Sequence, residues 1–160
     1  MLQTKGFSLI ELLVAVAIIL VIAALVVPNL LQSRISANEA AAVTNLRAIN
    51  SAQALYQVTY PTVGYADSLS KLGDPPPNTA VSSNSAGLLD PVLACGTQPC
   101  SKTGYGYTLS PATSTPTYMY SVTAVPTIPG QTGVRGFCSD HENKVRFDPT
   151  GGTNCTQAMK

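Results

Sequence analysis

Gly6-Phe7-Ser8-Leu9-Ile10-Glu11-Leu12-Leu13-Val14-Ala15-Val16-Ala17-Ile18-Ile19-Leu20-Val21-Ile22-Ala23-Ala24-Leu25-Val26-Val27-Pro28 is the stretch on which the fold turns. From Leu9 to Val27, 18 of 19 residues are apolar, the exception being Glu11. As a helix, Phe7–Val27 would be about 31 Å long, matching the hydrocarbon core of a bilayer. A helix apolar on every side needs lipid or other protein around it, and nothing else in this chain is apolar enough to wrap it. The segment is therefore expected to enter a membrane. A carboxylate within such a segment costs on the order of 2.5–3.5 kcal/mol at mid-bilayer, less near the edge, and marks a functional position. No Lys or Arg lies between Gly6 and Gln32 to pair with Glu11.

The rest of the chain is of another kind. Over all 160 residues, 45% are apolar and 11% charged, with a formal net charge of +1 and a mean hydropathy of +0.19. Outside Leu9–Val27 the apolar share falls to about 38% and the mean hydropathy to roughly −0.2, so the hydrophobic character comes from one segment. The near-neutral balance argues against a strongly basic nucleic-acid binder, and no specific nucleic-acid partner is expected. One His, no Trp and eight carboxylates, with no Gly-rich phosphate loop bearing a Lys, offer no catalytic site. No enzyme activity, cofactor or metal is expected.

Pro28 follows the apolar run, and a helical Pro removes a hydrogen bond and usually kinks the axis, so a helix break is expected there. Beyond it, Asn29 to Tyr60 contains no Gly or Pro. Ile35, Ala42, Leu46, Ile49, Ala52 and Tyr56 recur as a helical stripe, with Arg34, Glu39, Asn45, Arg47, Asn50 and Gln53 assigned to other faces. Pro61 stops the helix. The result is a helix of about 54 residues, roughly 80 Å, apolar all round in its first half and amphipathic in its second.

From Pro61 onward the composition changes: 11 of the 12 Pro and 11 of the 12 Gly lie there. Residues 61–104 read as a long loop region around Pro75-Pro76-Pro77, with an exposed tip near Ala80–Gly87. Strands are expected at Tyr105–Leu109, Thr117–Ala124, Arg135–Ser139 and Lys144–Phe147, the second with Tyr118, Tyr120 and Val122 on one face. Asp140-His141-Glu142-Asn143 suits a hairpin turn. The fold class is α+β: the amphipathic half-helix packed on a three- or four-stranded antiparallel sheet.

Cys95, Cys100, Cys138 and Cys155 all fall in this outer part, and four cysteines allow three connectivities. Local closure, Cys95–Cys100 and Cys138–Cys155, is the preferred expectation in an oxidising compartment. A zinc site using these thiols and His141 lacks the tight C-x2-C pairs of zinc ribbons. Asp140, Glu142, Asn143 and Asp148 offer oxygen ligands for calcium, but their spacing is not that of an EF-hand, and a hydrated turn explains them more simply.

Lys5-Gly6-Phe7-Ser8-Leu9-Ile10-Glu11-Leu12-Leu13 resembles the prepilin processing motif of type IV pilins and of the related pseudopilins of type II secretion. Tyr60-Pro61-Thr62-Val63-Gly64-Tyr65 and Pro129-Gly130-Gln131-Thr132-Gly133 are similar to pilins with a six-residue leader, the type IVa-like kind. The resemblance implies cleavage between Gly6 and Phe7 and methylation of Phe7 by a prepilin peptidase/methyltransferase. It divides the chain into a leader (1–6), a transmembrane and filament-core helix (7–28) and a globular domain (29–160), whose sheet and C-terminal disulfide loop occupy 105–160. Cleavage would create an α-amino group four residues ahead of Glu11, able to pair with that carboxylate; the resemblance implies the Glu11 of a neighbouring subunit. Lys5 gives a modest positive-inside signal, leaving the remainder outside the inner membrane as a single-pass precursor. The function implied is that of a major pilin in an extracellular homo-oligomeric helical filament, raised by separate assembly machinery and serving adhesion, twitching motility or DNA uptake. The alternatives are a pseudopilin and a non-polymerising single-pass adhesin or ligand-binding protein.

Overall fold

The computed structural model describes residues 6–114 and 116–159, without the side chains of residues 25–29. Residues 1–5 of the expected leader, Lys5 among them, lie outside the described residues. One helix, α1, is assigned over Leu9–Thr59, ending two residues before Pro61. The chain divides into two units, Met1–Arg34 and Ile35–Lys160.

In the first unit, Ser8 precedes the helix, and its carbonyl accepts from the N–H groups of Glu11 (3.1 Å) and Leu12 (3.2 Å). Every described residue from Gly6 to Ala24 is exposed, because among the described residues this unit has no second element to pack on the helix. Among the described residues no helix is long and apolar enough to cross a membrane. The apolar run of the sequence continues into residues 25–27, whose side chains are not among those described; Pro28, where a break is expected, lies within the assigned span of α1, and its side chain is likewise not described.

In the second unit the helix residues from Ile35 onward lie on a six-stranded antiparallel sheet in sequential order. The strands are β1 (Cys100–Lys102), β2 (Tyr105–Pro111), β3 (Tyr120–Pro126), β4 (Gly136–Asp140), β5 (Arg146–Asp148) and β6 (Gln157–Ala158). The sheet thus has two more strands than the upper expectation, both at its edges. β1 is paired to β2 through Thr103-Gly104, a two-residue turn in which both residues have positive φ, as tight hairpins require. β6 is two exposed residues beside β5.

The helical stripe is buried in full: Ile35, Ala42, Leu46, Ile49, Ala52 and Tyr56 are each at most 5% exposed. It meets Tyr105, Tyr107 and Leu109 of β2, Tyr120, Val122 and Ala124 of β3, and Phe137 of β4. The alternation along β2 and β3 points these residues inward and Thr108, Ser121 and Thr123 outward. Tyr118 is not part of this face. It is exposed because Thr117 pairs its backbone with Val63 and Tyr65 instead (3.0 and 2.8 Å), and β3 begins only at Tyr120.

The region 61–104 is more than a loop. A 3-10 turn at Leu69–Leu72 buries both leucines, and Ala66, Leu89 and Leu93 join the same core. Three helix residues expected on polar faces are also buried: Glu39, Asn50 and Gln53. Steps of four, three, four, three, four and three run 35–39–42–46–49–53–56, so Glu39 and Gln53 occupy stripe positions. Each is satisfied from the far side. Gln53 spans the backbone of Ala66, donating to its carbonyl (2.9 Å) and accepting from its N–H (2.8 Å). Asn50 meets Ser139 and the Tyr120 hydroxyl.

Candidate functional site

The exposed N-terminal helix is the first candidate. Among the described residues, a side chain added at Gly6 would meet nothing within 4 Å, so their packing makes no demand for glycine there. Phe7 is 82% exposed and likewise has no packing role. Twelve large apolar side chains from Phe7 to Ile22 are each about half exposed or more. Covering them is worth on the order of 10–20 kcal/mol, at roughly 1.5–3 kcal/mol per side chain fully buried. That gain far exceeds the cost of carrying one carboxylate along. Leu13, Val14, Ala17, Ile18, Val21 and Ile22 outline a wholly apolar furrow along one face, the spacing that receives side chains of a second helix.

Glu11 lies in the first turn of α1. The sequence Ser8-Leu9-Ile10-Glu11 has the spacing of a capping box, and a carboxylate here is favoured by the helix dipole. Local stabilisation of this kind is worth up to about 1 kcal/mol, which is less than the cost of taking the charge into lipid. The cap alone therefore does not account for a Glu at this place.

The other candidates are brought together differently. Cys95 is bonded to Cys100 and Cys138 to Cys155. The carboxylates of the Asp140–Asp148 region are held apart, each with its own partner. Asp140 accepts from the Glu142 N–H (3.0 Å) and faces Arg146 (3.3 Å). Glu142 pairs with Lys144, whose ammonium holds its carboxyl below the usual range. Asp148 accepts from the Thr150 hydroxyl and N–H and from the Asn154 N–H, and these bonds lower its pKa. No metal-binding cluster forms among the described residues.

The most organised polar site is built on Glu39, which the sequence places off the apolar stripe of the helix. Glu39 Oε2 receives Arg135 Nε (2.8 Å) and its terminal nitrogen (2.6 Å), while Oε1 receives the N–H groups of Val134 and Arg135, both at 3.0 Å. Burial works against the charge on Glu39, but the hydrogen bonds from Arg135 and Val134 with the guanidinium charge outweigh it and keep its pKa low. Arg135 also stacks over Phe137 and Phe147, 5.6 and 5.4 Å from the ring centres. Asn38 donates to the Thr132 carbonyl (2.9 Å), and the Tyr105 hydroxyl to that of Arg135 (2.8 Å). Together these fasten the β3–β4 connection to the helix. The skipped stripe position at 39 was the signal for it.

Residues 1–27 match the family model of the prokaryotic N-terminal methylation motif. The chain is also similar to the type IV wide pilus major component PilA4 of Thermus thermophilus, with 43% identity over 56 residues. That stretch is 35% of this chain and 43% of the relative, so less than half of the relative's length is spanned. No solved structure matches the chain. The motif and the likeness relate the chain to type IV pilins.

Proposed function

We propose that this pilin-related chain is a structural subunit, a major pilin, of a type IV pilus filament. The observation that carries the reading is the uncovered apolar run Phe7–Ile22, helical from Leu9 with one carboxylate in the first turn, within the match to the methylation motif. The precursor is held in the inner membrane by the helix of residues 7–28. A prepilin peptidase/methyltransferase removes residues 1–6 and methylates Phe7. Glycine at position 6 answers to that enzyme, since packing does not require it.

Polymerisation then exchanges lipid for other copies of the same helix. Transfer between two apolar surroundings brings little hydrophobic gain, so register must come from a polar contact, and the new Phe7 amine with the Glu11 of a neighbour supplies it. Pro28 gives the helix a point at which it can loosen on leaving the bilayer. Residues 29–160 form the outer surface of the extracellular filament. The work of extraction belongs to separate assembly machinery, and this chain acts by assembly rather than turnover.

Glu11→Ala tests the reading. A filament subunit should accumulate in the membrane, processed but unassembled, with surface filaments lost. A monomeric adhesin or binding protein should be indifferent to the change, and that result would remove the assembly role. The pseudopilin alternative shares this N-terminal logic and has no observation in its particular favour.

A further inference from the structure

Residues 35–159 carry six Lys or Arg and seven Asp or Glu side chains. Five of each sign are joined in the pairs Lys71–Asp67, Lys102–Asp90, Arg135–Glu39, Lys144–Glu142 and Arg146–Asp140. Asp148 is occupied by Thr150 and Asn154. One charge of each sign is left over. Neither the Arg47 nor the Asp74 side chain makes an ion pair or hydrogen bond among the described residues, and both are exposed.

Their settings are complementary. Arg47 is the sole charge among the exposed helix positions between Ser36 and Thr59. Its neighbours on that surface include Ala40, Thr44, Ala48, Ser51, Leu55 and Val58, small or apolar where a solvent-facing helix normally carries many charges. Arg47 borders an open groove completed by Asn50, Ser51 and Ala54 of the helix and Asn143 of the β4–β5 turn. The Asn50 amide is already taken by Ser139 and Tyr120, which leaves the guanidinium and the Asn143 amide as donors. A planar guanidinium beside an amide is suited to a carboxylate. Asp74 follows the 3-10 turn whose Leu72 is anchored in the core, and it precedes Pro75-Pro76-Pro77, which restrict the backbone beyond it. The carboxylate is thus presented on a held segment.

We propose that the groove at Arg47 seats Asp74 of a second copy of the chain, making a lateral contact between subunits. The inference rests on the reading of the chain as a filament subunit and adds a named contact in the outer unit to it. Exposed ion pairs are individually weak, but this one repeats at every subunit and penalises like charges, so it governs register more than affinity.

Full-length Arg47→Glu, Asp74→Arg and the double charge swap are expressed with the assembly machinery, alongside Glu11→Ala. Sheared filament is compared with the membrane pool of subunit, which reports whether each variant folds and accumulates. Each single reversal should lower the filament share by about fivefold or more at low salt, and the loss should narrow as salt is raised. The double swap should return it to within about twofold of the parent, as a restored pair requires. Singles that assemble like the parent overturn the contact, and so does a double variant no better than the singles. Glu11→Ala filaments at parental yield overturn the docking role of Glu11 whatever the charge pair does, so the two claims fail separately.

Discussion

Removing the Glu39 carboxylate leaves the Arg135 guanidinium and the N–H groups of Val134 and Arg135 without their acceptor. The Arg135 side chain is 43% exposed, so water partly replaces the lost partner, and the cost falls below that of a wholly buried pair. Glu39→Ala should destabilise the outer unit by about 2 kcal/mol, read from chemical denaturation of the detergent-solubilised chain. The same carboxylate sets a pH dependence. Its folded pKa lies below the ordinary value of 4.5, so its contribution is complete above about pH 4.5 and is lost as the pH falls through the lowered folded value. Stability measured from pH 6 down to pH 2 should therefore fall more steeply for the parent than for Glu39→Gln; equal slopes would remove Glu39 from the account. At the N-terminus, Gly6→Val should leave the fold untouched, since the site is open, yet the accumulated chain should retain residues 1–6. Normal processing of that variant would mean Gly6 is not read by the peptidase.

At the scale of elements, the helix and the central strands were legible because their signals are local: an apolar repeat of 3.6 residues and an alternation of two. Glu39 was not, because its partners lie 95 and 96 residues away and a Glu on a helix reads as solvent-facing until those partners are known. β1 and β6 escaped for another reason: three and two residues are too few to show any period, and it is the neighbouring strands that hold them. The buried leucines at 69 and 72 were hidden inside a Pro- and Gly-rich region whose composition speaks for loop, while their burial depends on the helix beneath. The two disulfides close loops of different size, five and 17 residues apart in sequence, and should differ in effect. Replacing Cys138 and Cys155 with Ser should lower stability by about 3 kcal/mol, against about 2 kcal/mol for the pair Cys95 and Cys100. Hydrogen exchange should quicken at β6 in the first variant and around β1 in the second; equal changes at both edges in either variant would argue against local control.

For the whole molecule the dominant fact is a division of labour within one helix. Its first part offers exposed apolar side chains and its second part buries one stripe against a sheet, the division on which the proposed assembly role rests. The candidate site was legible because the methylation motif is a local pattern within residues 1–27, readable without tertiary structure. The proposed contact of Arg47 with Asp74 was not legible in the sequence, because the partners of the other charges of residues 35–159 are known only in three dimensions. The central claim, a processed subunit polymerised through its N-terminal helix, is met most directly by the intact mass of the chain in sheared surface filaments. The account predicts residues 7–160 with one added methyl group and four hydrogens fewer than the reduced chain, for two disulfides. A chain still carrying residues 1–6, or one without the methyl group, would contradict it.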